Sequence, residues 1–497
     1  MRALNLGAIV ATVVALGCSG SVKTYRANPP TSPSAHATAA PDPEAWRAER
    51  PKPGLPAELH FPVPDVLKLS NGLSVYVVKQ PAAVVSVDLV VRHGASSVPE
   101  GKSGLAALTA RMLVESTRRH KSLELAEAAE SLGAPLASNA SRDDSSVGLT
   151  ALTGDLDRAL ALLAEVVREP AFDAKEFERV RSEWVDQLVG ERQAPERLAS
   201  LAGLRLLNGP IHGAPVSGGV SDVKRLKVSD LKEFHARRYV PSESALVIVG
   251  AVNVETLRPS LEKLFGSWRG TAPKKAVVAP LPPPNPGLRL VVVDRPGAVQ
   301  TALFAVQRFP ARSAPGFESR DVLSEIVGGL FTSRINMNLR EKHAYTYGAS
   351  ARQVGTREWG AFVVATSVRT DATADALVEI QRELGRARDP SLGAPLMPDE
   401  VARGKAALLH ALGAKMEHTS LVADAMVPLF SLNLGSDYYT RYPSLIAAVA
   451  SPDLEAGQRL LAPEDLLVVV VGDHAAIRPS FEHLGWNLEL APDSLTD

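Results

Sequence analysis

Cysteine is nearly absent: the 497-residue chain has one, Cys18. An internal disulfide framework and a thiolate zinc cluster are therefore excluded. An excess of charge of either sign is also missing, with 54 Lys plus Arg against 55 Asp plus Glu. No basic run is longer than Arg118-Arg119-His120-Lys121. Nucleic acid is not an expected partner, because neutralising phosphates takes a concentrated positive face. No glycine-rich phosphate loop stands between a strand and a helix. Gly328-Gly329 is too short for one and reads as a turn between helices. None of the 11 histidines, His93, His120, His212, His343, His410 and His418 among them, has His-x-x-x-His spacing.

What is present is ordinary globular composition, 45% hydrophobic and 22% charged, in a chain too long for one core. Met1-Arg2 and the apolar run Leu4 to Gly17 lead into Ala15-Leu16-Gly17-Cys18-Ser19. The run is too short for a permanent membrane span. It resembles a lipoprotein signal over residues 1–18, cut before an acylated Cys18, although Ala15 stands where leucine is usual. An ordinary secretory signal with an incidental cysteine is the other reading. The lipoprotein reading implies an exported protein held by its lipid on the periplasmic face of a bacterial membrane, the outer one for preference. Residues 19–57, rich in proline and alanine, read as a disordered tether.

From residue 58 the pattern changes. Val66–Leu69 and Leu73–Val78 flank Ser70-Asn71-Gly72, a hairpin signal. Helical periods follow at 104–117, 122–132, 155–168 and 173–192, the last with Phe177, Val180, Trp184 and Leu188 on one face. Six prolines between Thr271 and Gly287 break any regular element, so 271–288 reads as a linker. The flanking parts, 58–270 and 289–497, end alike. Pro241 leads through Ala245–Val249 to Gly250 and then Arg258-Pro259-Ser260. Pro463 leads through Leu466–Val471 to Gly472 and then Arg478-Pro479-Ser480. An internal duplication is the simple account. The expected class is α+β: two homologous domains, each a mainly antiparallel sheet with helices packed on one face.

Several blocks resemble the pitrilysin, insulinase and mitochondrial processing peptidase family, the inverzincins. They are Leu69-Ser70-Asn71-Gly72-Leu73, Gly94-Ala95-Ser96, and Pro99 to Ala106 in the first part. In the second they are Val327 to Arg334, Asn338-Leu339-Arg340-Glu341-Lys342 and Tyr345-Thr346-Tyr347-Gly348. The likeness runs over nearly the whole chain from about residue 60. In active members Gly-Leu-Ala is followed by His-x-x-Glu-His on a helix. Two imidazoles four residues apart share a face and can grip one zinc, and the glutamate beside them takes a proton. Here Gly104-Leu105-Ala106 is followed by Ala107-Leu108-Thr109-Ala110-Arg111. Ala107 and Arg111 replace the histidines, and Ala110 replaces the glutamate. The family spacing carries the third ligand to Gln187, a poor substitute for a carboxylate. A guanidinium has no lone pair to offer a metal. No cofactor is expected in this chain.

The resemblance implies a role for Arg340 and Tyr347. In the family this pair faces zinc across a closed chamber, the tyrosine donating to the forming oxyanion and the arginine holding substrate. The plainer reading makes Arg340 a helix C-terminal cap and Tyr347 a half-buried strand residue. Some family members are heterodimers in which one subunit brings the metal helix and the other this pair. The expectation is therefore a non-catalytic subunit whose partner, a homologous peptidase chain, carries the zinc. The alternative is a peptide-binding or scaffold lipoprotein of the same fold. Residues 135–140 correspond to the family's substrate-pairing strand. An extended peptide could add there, or the segment is a plain edge.

Overall fold

The computed structural model describes residues 60–272, 280–283 and 286–492, with Glu44, Arg47 and Leu495. Cys18 and almost all of the tether lie outside the described residues. Leu59–Asp497 form one unit built on two six-stranded sheets.

The first sheet contains β1 (Asp65–Lys68), β2 (Ser74–Lys79), β3 (Val84–Val91), β4 (Ala137–Ala140), β5 (Ser145–Leu152) and β6 (Ser244–Gly250), in the order β1-β2-β6-β3-β5-β4. The second contains β7 (Arg289–Asp294), β8 (Gln300–Phe309), β9 (Thr346–Gly355), β10 (Gly360–Arg369), β11 (Leu467–Gly472) and β12 (Leu488–Leu490), in the order β12-β7-β11-β8-β10-β9. Both sheets are mixed. β2 runs parallel to β6 as β7 does to β11, and the chain then alternates antiparallel out to the edges β4 and β9. This shared order supports the duplication. So do Pro241 and Pro463, each opening a 3-10 turn ahead of β6 or β11.

Valine-rich β6 and β11 are apolar on both faces, so each sheet must be covered twice. Helices of the same half cover one face, as the hydrophobic periods require. A single helix from the other half covers the opposite face. The helix Pro195–His212 lays Leu198, Ala199 and Ala202 against Val291, Phe304 and Val469 of the second sheet. The helix Thr419–Ser431 lays Val422, Ala423 and Met426 against Val90, Ala245 and Val247 of the first. This exchange fuses the halves into one body. Helical period alone does not say which sheet a helix will cover.

Of the proline-rich segment, 273–279 and 284–285 lie outside the described residues, and its other residues carry no helix or strand. Among the described residues no helix is long and apolar enough to cross a membrane.

Candidate functional site

The helix Leu105–Leu113 begins after Gly104, whose φ of +88° and 2.8 Å approach to the Ser217 carbonyl at the Cβ position leave room only for glycine. Leu105, Leu108 and Met112 bury one face in the first core. Ala110 is also buried, at 1% exposure. Arg111 turns outward and pairs with Glu115 at 3.2 Å. Glu115 is itself buried and receives a second guanidinium, that of Arg179.

Arg179 lies on the helix Ala174–Glu191, which Asp173 caps by accepting from the backbone N–H of Lys175 at 2.8 Å. Hydrogen bonds to Glu183 and Glu176 hold the Arg179 guanidinium above its usual range. One turn after Glu183, Gln187 donates from Nε2 to Glu191 at 3.0 Å. Trp184 is pinned by its Nε1, which donates to the Ser217 carbonyl at 2.8 Å.

Three of the four positions that the resemblance singles out come together. Ala107, Arg111 and Gln187 line one cleft of about 560 Å³, with Asn139 of β4, Trp184 and Arg197. Ala110 is not among its walls; a methyl is too short to reach out of the core as a glutamate would. At these three positions the side chains do not fit zinc: a methyl, a guanidinium and an amide offer neither imidazole nor carboxylate. Among the described residues no three His, Cys, Asp or Glu side chains converge as a metal site requires.

The second constellation sits at the edge of the other sheet. A helical segment, Arg334–Asn336 continuing as Met337–Lys342, carries Arg340. The Arg340 guanidinium lies 4.5 Å from the centre of the Phe331 ring and pairs with Glu341 at 3.4 Å. The plainer reading had it capping its helix; its contacts are instead this ring and this carboxylate.

Tyr347 follows on β9 and is 90% exposed, not half-buried. Its direction has a local cause. The β9–β10 register jumps between Thr366 opposite Ala349 and Val368 opposite Thr346, so Tyr347 and Gly348 form a bulge. Thr346 locks the bulge by donating from Oγ1 to the Ser367 carbonyl at 2.7 Å and accepting from the Gly348 N–H at 3.0 Å.

One positioning residue went unread in the sequence. Asn336 is buried, donates to the Phe331 carbonyl at 2.6 Å and accepts from the Ala349 N–H at 3.0 Å. It ties together the Phe331 turn, the Arg340 segment and the bulged strand. Its sequence carried little signal, since Asn336 sits between Arg334 and Asn338 in a mixed polar and apolar turn.

The strand foreseen at residues 135–140 is β4, Ala137–Ala140, and it is an edge that pairs with β5 alone.

Residues 74–202 match the family model described as insulinase, peptidase family M16, and residues 225–408 match the one described as peptidase M16 inactive domain. The chain belongs to the M16 peptidase family. It is 24% identical to a zinc protease of Helicobacter pylori, PqqE, over 333 residues, which are 65% of this chain and 73% of that one. Against subunit 1 of the bovine mitochondrial cytochrome b-c1 complex it is 24% identical over 221 residues, 44% of this chain and 45% of that subunit. In structure it resembles a Pseudomonas fluorescens M16 inactive-domain protein, with a TM-score of 0.74 and 22% identity, covering 82% of this chain and 98% of that one. The M16 family uses zinc.

Proposed function

We propose that this M16 chain is the non-catalytic subunit of a two-chain zinc peptidase, lending Arg340 and Tyr347 to a homologous partner that carries the metal. The observation that carries the reading is Tyr347 itself. An aromatic side chain 90% exposed on a locked bulge, in a chain that also holds Arg340 over the exposed Phe331 ring, is arranged to meet something outside the chain. The metal positions of the same chain hold Ala107, Ala110, Arg111 and Gln187.

In this reading the Tyr347 phenol donates a hydrogen bond to the oxyanion forming on the scissile carbonyl. Arg340 holds a neighbouring substrate carbonyl or carboxylate in register. β4 offers its unpaired edge to an extended peptide substrate. We place the protein at the cell envelope, tethered through an acylated Cys18. Intact-mass measurement of the mature protein tests that anchor.

The test of function is reconstitution with a zinc-bearing homologous subunit exported by the same cell. Peptide cleavage should require both chains. It should fall about 10²–10³-fold with Tyr347→Phe in this one, as for loss of one oxyanion donor. Full activity of the zinc subunit alone rejects the proposal.

The likeness to a cytochrome b-c1 subunit favours a second reading, a peptide-binding or scaffold lipoprotein. That reading gives no cleavage in the mixture and no effect of Tyr347→Phe.

A further inference from the structure

The cleft at the replaced zinc positions has exchanged one kind of site for another. Where the family places three ligands for a cation, this chain presents two arginines. Arg111 comes from the helix Leu105–Leu113, and Arg197 from the first turn of the helix Pro195–His212. Their side chains are 49% and 46% exposed, so neither is spent on the core.

Both keep donors in hand. Arg111 uses one Nη group on Glu115 at 3.2 Å. Arg197 uses Nε on Glu191 at 3.4 Å, and its Nη groups take no part in that pair. A guanidinium carries five N–H donors in a planar fork that matches a carboxylate. The single carboxylate among the cleft walls, Glu183, is already engaged by Arg179 at 2.9 and 3.1 Å. The cleft therefore offers guanidinium N–H donors that these pairs leave unused.

Space has been cleared as well. Ala107 lies one helical turn before Arg111 on the same face, and its methyl leaves empty the volume a histidine would fill. Trp184, fixed through Ser217, gives an apolar wall for a hydrocarbon stem. Along the other side runs β4, whose Ser138, Asn139 and Ala140 also line the cleft. A peptide adding to that edge would pass beside the arginines and turn alternate side chains toward them.

We propose that this cleft is a receptor for an acidic side chain, Asp or Glu, of an extended peptide laid along β4. The proposal rests on the peptide-pairing role given to β4 above, and it names the residue class recognised there. The occupant is an internal side chain and not a chain terminus, because the arginines stand alongside the strand.

The test uses the isolated full chain and needs no partner. Two labelled extended peptides that differ only in Glu against Gln at a central position are titrated by fluorescence anisotropy. The Glu peptide should bind about tenfold more tightly, as for charge-assisted hydrogen bonds. The gap should close in the Arg111→Gln, Arg197→Gln double variant and shrink at high salt. Circular dichroism melting checks that the variant folds. If it does not, the salt dependence of the gap in the wild-type chain and the single variant Arg197→Gln decide. Equal binding of the two peptides overturns the proposal while leaving peptide pairing at β4 intact. No binding of either overturns both. Equally tight binding of a peptide whose only carboxylate is its C-terminus overturns the side-chain assignment. The Arg340–Tyr347 role stands or falls separately, on cleavage in the mixed pair.

Discussion

Arg357 clasps Asp143 across the two halves. The Arg357 backbone N–H donates to Asp143 Oδ2 at 3.0 Å, and its guanidinium donates to the Asp143 carbonyl at 2.6 Å. Arg357 stands at the turn between β9 and β10, and Asp143 at the turn between β4 and β5. These hairpins are equivalent in the duplicated halves, so like meets like at their tips. A second pair, His212 to Glu358 at 3.1 Å, lies beside the clasp. The arrangement links the strand that carries Tyr347 to the edge that lines the cleft. Arg357→Ala should cost about 1–3 kcal/mol, as for loss of a hydrogen-bonded charge. Urea denaturation measures the loss, and hydrogen exchange should quicken at the β4–β5 turn.

Tyr347→Phe should leave stability within about 0.5 kcal/mol of the parent, because an exposed hydroxyl makes no packing contribution. Thermal melting of the isolated chain checks this. Any fall in cleavage by the mixed pair can then be assigned to chemistry and not to folding.

Asn336→Ala should act in the opposite sense. It leaves the Ala349 N–H and the Phe331 carbonyl without their partner, at a cost of about 1–3 kcal/mol. With β9 no longer tied to the Arg340 segment, reconstituted cleavage should fall even though Arg340 and Tyr347 are both present. Restoring stability with an osmolyte should not restore the rate.

Asp88 supplies a pH prediction. It lies on β3 opposite Gly148, where any Cβ would strike its carboxylate at 1.7 Å. Burial, reinforced by the charge of Asp424 on the helix Thr419–Ser431, pushes its carboxyl up to about 7. Asp424 is also raised by burial, with Lys415 opposing. The unfolded chain holds Asp near its ordinary value, so the folded state binds the proton more tightly. The stabilisation is full below about pH 4 and is lost as pH rises through about 7. Asp88→Asn should flatten that profile and raise stability at pH 8 on the order of 2 kcal/mol. Denaturation midpoints at pH 5 and pH 8 test it.

Much of this architecture was legible beforehand because it rests on local chemistry. Ser70-Asn71-Gly72 marks a turn, and the spacing Pro241–Gly250 repeats in Pro463–Gly472. The face Phe177, Val180 and Leu188 is buried as its period requires. Ala107 and Arg111 share a cleft with Gln187, which is far from them in the chain. What escaped was long-range. Leu198 and Ala202 mark an apolar stripe, and nothing in that stripe says that it covers the sheet of the other half. The bulge that exposes Tyr347 depends on its register with β10, 20 residues on from Thr346 by the Thr366 contact. The clasp joins residues 214 positions apart. Each depends on partners that neither periodicity nor a motif can name.

The central claim is that this chain does not hold zinc and completes a chain that does. Elemental analysis of the purified protein, dialysed and then offered one equivalent of zinc, tests it most directly. The account predicts no tightly retained metal and no cleavage by this chain alone. One zinc retained per chain, with peptide cleavage to match, would contradict it.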